Sequence, residues 1–96
     1  MTFDSLKKEI NPILERQGVN KAAIFGSFAS GEAREDSDID IVVSFEEEKS
    51  LFDLVGLKLE LEDKLKRKVD VLTYNGLNHR LKEGILKEQR IIYEKE

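Results

Sequence analysis

Cysteine and tryptophan are missing from this chain, and proline, methionine and histidine occur once each. Without thiols there can be neither disulfides nor thiolate zinc centres, so a bound metal would have to take oxygen ligands or the single His79. Oxygen-rich sites favour magnesium, manganese or calcium. No apolar run approaches the ~18 residues of a membrane span, and Met1 is followed by no basic, apolar leader, so a soluble, cytoplasmic protein without membrane contact is expected. Positive charge is also scarce: 16 Lys and Arg stand against 20 Asp and Glu, a net charge of −4. Sequence-independent nucleic-acid binding works by releasing counterions through clustered Lys and Arg, so direct nucleic-acid binding is disfavoured.

What is present is 96 residues, enough for one domain over 1–96 with a small core and no deep enclosed pocket. Charged residues reach 38%, above the ~25% usual in globular chains, which suits a surface laced with ion pairs and a heat-adapted source.

Apolar spacing lays out the elements. Phe3, Leu6, Ile10, Ile13 and Leu14 recur every three or four residues and predict an amphipathic helix from Phe3 to Gln17. Pro12 inside it predicts either a kink or a restart capped by Asn11, and Gly18 is the natural stop. Val19 to Phe25 reads as a strand. Ser27 then caps a short helix over Phe28–Ala33, and Ser37–Phe45 is a second strand. Ser50 and Asp53 form a capping-box start for a helix on which Leu51, Leu54, Val55, Lys58, Leu61 and Leu65 share a stripe. Val69–Thr73 is the third strand, Asn75–Gly76 a turn, and Leu77, Leu81, Ile85 and Leu86 mark a further helix. Ile91–Glu94 is a short last strand at a sheet edge. The leucines of both later helices are assigned to the core. The fold class is therefore α/β, with a mixed sheet packed against helices.

The stretch from Ile24 to Val43 carries the chemistry. Side chains alternate along a strand, so Asp38 and Asp40 project from one face while Ile39, Ile41 and Val43 occupy the other. A strand, a helix and a second strand predict a right-handed parallel crossover, which sets Asp70 beside the strand of Asp38 and Asp40. Three carboxylates so placed can hold one or two magnesium ions about 3.5–4 Å apart and support an in-line displacement at phosphorus. Gly26 lets a phosphate approach the backbone, and Ser27 adds a hydroxyl at a helix start. Asp70 is placed to orient an acceptor hydroxyl or take its proton.

The run Phe25-Gly26-Ser27, ten residues, then Asp38-Ile39-Asp40-Ile41, resembles the signature of the nucleotidyltransferase superfamily that includes DNA polymerase beta, and within it the minimal nucleotidyltransferase branch. The resemblance spans nearly the whole chain. It implies a polymerase beta-like fold, with Gly26 and Ser27 binding phosphate, Asp38 and Asp40 as metal ligands and Asp70 as the third carboxylate. It further implies an antitoxin that pairs with a helical HEPN-domain ribonuclease toxin and silences it by moving AMP from ATP to a toxin tyrosine. The chain departs from many relatives in carrying Ser30 where they have an arginine expected to touch the triphosphate or the partner; either Arg34 substitutes for it or nucleotide affinity is lower.

Other residues take plainer readings. His79 is read as a surface residue, and Lys64, Lys66, Arg67 and Lys68 as a solvated helix end favourable to the helix dipole. Tyr74 and Tyr93 are read as packing residues. A fold this small supplies one wall of a site, so the acceptor must come from another chain, either a protein partner or a second copy. Two other functions fit the residues: a non-catalytic module that neutralises a toxin by covering it, and the nucleotide-binding half of an enzyme that modifies a small molecule.

Overall fold

The computed structural model describes residues 2–26, 38–47, 49–77 and 79–95. Helix α1, Phe3–Arg16, starts in a capping box in which Thr2 Oγ1 accepts from the Ser5 N–H at 3.1 Å and Ser5 Oγ accepts from the Thr2 N–H at 3.0 Å. The helix runs unbroken through Pro12, so Asn11 caps nothing. Its four fully or nearly buried side chains, Leu6, Ile10, Ile13 and Leu14, offset the hydrogen bond that proline removes. Gln17 closes the helix, and Gly18 turns the chain with φ +81, a left-handed conformation that favours glycine.

Strand β1, Val19–Phe25, lies in the middle of the sheet. Strand β2, Ile39–Phe45, pairs with it antiparallel, as does β4, Arg90–Glu94, on its other side. Helix α2, Leu51–Leu65, returns the chain so that β3, Val69–Thr73, pairs parallel with β2. Helix α3, His79–Glu88, precedes β4. The four strands stand in the order β3-β2-β1-β4, a mixed sheet as expected, with the last strand at an edge. The short helix expected over Phe28–Ala33, and the capping role of Ser27, lie outside the described residues.

Alternation along the strands gives the sheet two unlike faces. One buries Ala22, Ile24, Ile39, Ile41, Val43, Val69 and Ile92 against α1 and the Leu57, Leu61 and Leu65 edge of α2. Among the described residues the other is thin: Ala23 and Val42 meet Ile85 of α3, with Phe25, Tyr74 and Leu77 around them. One expectation is corrected here. On α2 the core stripe is Leu54, Leu57, Leu61 and Leu65, whereas Leu51, Val55 and Leu59 are exposed, and so is Leu86 on α3. Of the expected stripe Leu54, Leu61 and Leu65 are right, while Leu57 stands where Leu51, Val55 and Lys58 were expected, because α2 carries apolar side chains on both faces and spacing alone does not say which set meets the sheet.

Two polar contacts fix α2 against its neighbours. Gln17 Nε2 donates to Glu60 Oε1 at 2.8 Å, with Arg16 paired to the same carboxylate. Two residues further on, Glu62 Oε2 accepts from the Val69 N–H at 3.0 Å, tying the helix to the first residue of β3. Among the described residues no helix is long and apolar enough to cross a membrane.

Candidate active site

Parallel pairing of β2 and β3 sets Ile39 opposite Val69 and Asp40 opposite Asp70. The two aspartates stand one residue inside the start of their strands, on the thin face, because Ile39 and Val69 take the core side. Burial pushes the Asp40 carboxyl above the ordinary aspartate range, and the Asp70 charge, a hydrogen bond with the Asp70 side chain and the Asp38 charge push it the same way. Desolvation heads these causes because Phe25 of β1 lies across the ladder from Asp40 and Gly26 packs directly on its carboxylate.

Gly26 itself has φ +74 and ends β1. A Cβ built on it would stand 2.5 Å from Asp40 Oδ2, so the glycine leaves the space that this carboxylate occupies. The sequence assigned Gly26 to phosphate approach; the structure adds that it accommodates a carboxylate. Asp38 precedes β2, is exposed, and is near enough to act on Asp40. The structure thus brings Asp40, Asp70 and Gly26 together, with Asp38 at their solvent side. Ser27, Ser30 and Arg34 lie outside the described residues.

Among the described residues no three His, Cys, Asp or Glu side chains are gathered closely enough to hold a metal ion as they stand. Three carboxylates repel one another, and Asp38 sits outside the ladder that holds the other two in register. The donor set still suits a hard divalent cation: all its atoms are oxygen, two carboxyls already meet, and the third is on an exposed residue free to turn. Such a cation would be held by Asp38, Asp40 and Asp70.

One residue that positions the site escaped the sequence reading. Glu62, through the Val69 N–H, anchors the strand that carries Asp70. A signal existed, since an acidic side chain in the last turn of a helix opposes the dipole and calls for a specific partner. Tyr74 is a packing residue as expected: its hydroxyl donates to Gln89 Oε1 at 2.6 Å, and burial, then the Glu94 charge, raises its pKa. Tyr93 packs on the main core. A cleft of about 530 Å³ between Val43, Phe45, Leu54 and Tyr74 opens at the far ends of β2 and β3, away from the aspartates.

Residues 8–96 match the family described as polymerase beta, nucleotidyltransferase. A Methanocaldococcus jannaschii protein provisionally named a protein adenylyltransferase is 54% identical over 88 residues, which cover 92% of this chain and 95% of that one. Protein adenylyltransferase MntA of Thermococcus cleftensis is 42% identical over 82 residues, 85% of this chain and 80% of that. A solved structure provisionally named a minimal nucleotidyltransferase superposes with a TM-score of 0.80 at 41% identity, covering 94% of this chain and 95% of that one. A chain from the complex of tri-AMPylated Shewanella oneidensis HEPN toxin with MNT antitoxin shares the fold, with a TM-score of 0.78 at 17% identity over 98% of this chain and 74% of that chain.

Proposed function

The chain belongs to the polymerase beta nucleotidyltransferase family, and on that premise we propose that it is a protein adenylyltransferase, moving AMP from ATP to a hydroxyl of a protein partner. The partner is a HEPN-domain toxin, for which this chain acts as antitoxin in the cytoplasm, and the whole of 1–96 serves as a single nucleotidyltransferase domain. The observation that carries the reading is the pairing of Asp40 with Asp70 on adjacent strands, with Gly26 closing on Asp40.

In the reaction the acceptor oxygen attacks the α-phosphorus of ATP. A P–O bond to the protein forms as the P–O bond to pyrophosphate breaks, and the hydroxyl proton leaves to a base. Asp70 sits at the start of its strand, where it can hold that hydroxyl in line and take its proton. Asp38 and Asp40, with Asp70 as the third carboxylate, would hold a divalent cation, magnesium being the expected one, which would neutralise phosphate charge and acidify the acceptor hydroxyl. Gly26 and Ser27 seat the triphosphate, with Arg34 taking the role for which Ser30 is too short. The thin packing of the described residues on the face that carries the aspartates supports a macromolecular acceptor, which a partner protein would present.

The test incubates the chain with magnesium, its purified HEPN partner and each α-labelled nucleoside triphosphate, beside the double variant Asp38→Asn, Asp40→Asn. Label from ATP on the partner, lost in the variant, is the expected result. A variant that still neutralises the partner, with no label from any nucleotide, would instead assign a module that acts by covering. Label on a small hydroxyl compound alone would point to the small-molecule reading.

A further inference from the structure

Helix α2 is apolar on two opposite sides, and only one of them is used. Leu57, Leu61 and Leu65 are buried on the sheet, while Leu51, Phe52, Val55 and Leu59 are 75%, 88%, 45% and 58% exposed. On a helix these four, with Gly56, form one continuous stripe pointing away from the core. A helix that is apolar all round belongs in an interior. At roughly 200 Å² for a fully exposed large side chain, the four present on the order of 500 Å², at the upper end of what monomers leave uncovered.

We propose that this stripe is the interface of a homodimer, in which α2 packs antiparallel on α2 of a second copy about a twofold axis near Val55 and Gly56. The stripe is self-complementary about that point: Phe52 on one helix falls against Leu59 of the other, and Leu59 against Phe52. At the axis Gly56 presents no side chain, and a Cβ there would meet nothing within 4 Å of its own chain, so two helices can approach closely. Antiparallel helices also oppose their dipoles favourably. Covering the stripe on both copies buries on the order of 1,000 Å² before any flanking residue is counted, the area at which specific interfaces begin. The aspartates lie on the other face of the sheet from α2, so the pairing leaves the thin face clear.

Sedimentation velocity on the full chain, from micromolar to hundreds of micromolar, tests this. The wild type should sediment at twice its 11.0 kDa chain mass. Phe52→Glu and Leu59→Glu should each sediment as monomers with an unchanged helical circular dichroism spectrum. Because the chain has no cysteine, Val55→Cys gives an independent reading: mild oxidation should link it into a covalent dimer, while Lys8→Cys on α1 should form no covalent link. A monomeric wild type overturns the proposal, and if Phe52→Glu then also loses its HEPN partner, the stripe belongs to that partner. A dimer that both glutamate substitutions leave intact overturns it as well.

Discussion

At the scale of the residue, the site is a compromise between stability and chemistry. Asp40 and Asp70 stand side by side in neighbouring strands, and the Asp40 carboxyl is held above its ordinary range by burial first and by Asp70 second. A raised carboxylate pKa in the fold means that stability is lost as pH rises from 3.8 through the raised value, and stays lost above it. Asp40→Asn should therefore melt a few degrees above wild type at pH 7 in EDTA and lose that advantage near pH 3, while transfer falls at least ~10²-fold. Equal melting curves at pH 7 would show that the pairing costs nothing. Gly26→Ala should do harm on both counts: a left-handed backbone disfavours alanine by roughly 1–2 kcal/mol, and the new methyl must displace the Asp40 carboxylate. Wild-type activity in that variant would remove Gly26 from the site. Part of this was legible beforehand, because strand alternation and a parallel crossover set Asp70 beside the strand of Asp38 and Asp40; the register that puts it opposite Asp40 was not. The contact of Gly26 with Asp40 was not, since it depends on how one strand end bends over the next, which no spacing encodes.

At the scale of the element, helix ends were read well and helix faces less so. Gly18, and Ser50 with Asp53, are local signals, each satisfied within three or four residues of chain, so they survive whatever the rest of the fold does; the Thr2–Ser5 box is equally local and went unread. Asp53 accepts from the Ser50 N–H and hydroxyl, each at 3.0 Å, and the Ser50 backbone first, then its side chain, holds the carboxyl below the ordinary range. A lowered pKa stabilises above 3.8 and is lost as pH falls through the folded value. The melting-temperature gap between wild type and Asp53→Asn should thus be open at pH 7 and closed at pH 2. Ser50→Ala should cost about 1 kcal/mol in urea unfolding. In α1, an exposed Pro12 removes one donor from an otherwise continuous helix, and Pro12→Ala should restore it. The gain should be roughly 1–3 kcal/mol, reduced by the extra freedom of the unfolded chain; a loss of stability would mean that the ring packs where the fold needs it. For α2 the face was misread because a helix with two apolar sides has no single moment for spacing to find. The second side has to be explained by something beyond the chain.

At the scale of the whole molecule, the Cα radius of gyration of 12.4 Å is what ~96 residues give when fully compacted, about 12.5 Å, so the fold keeps no volume in reserve for a closed site. The packing is lopsided. Among the described residues, two helices and most of the large buried side chains lie on one face, while α3 meets the other through Ile85 against Ala23 and Val42. Stability should divide in the same way, since local opening is governed by how much apolar contact an element would surrender. In native-state hydrogen exchange, amides of β1 and β2 should exchange only through global unfolding. Those of α3 should exchange through a smaller opening, faster by ~10-fold or more, because among the described residues Ile85 is the buried side chain that α3 contributes. The face that loosens first is the one that carries Asp40 and Asp70, and an acceptor protein docking there would bury it. Adding the HEPN partner should therefore slow exchange in α3 while leaving the central strands unchanged. Uniform exchange across α3 and the central strands in the free chain would mean that the two faces are one cooperative unit, and that the open side of the site is as rigid as the core beneath it.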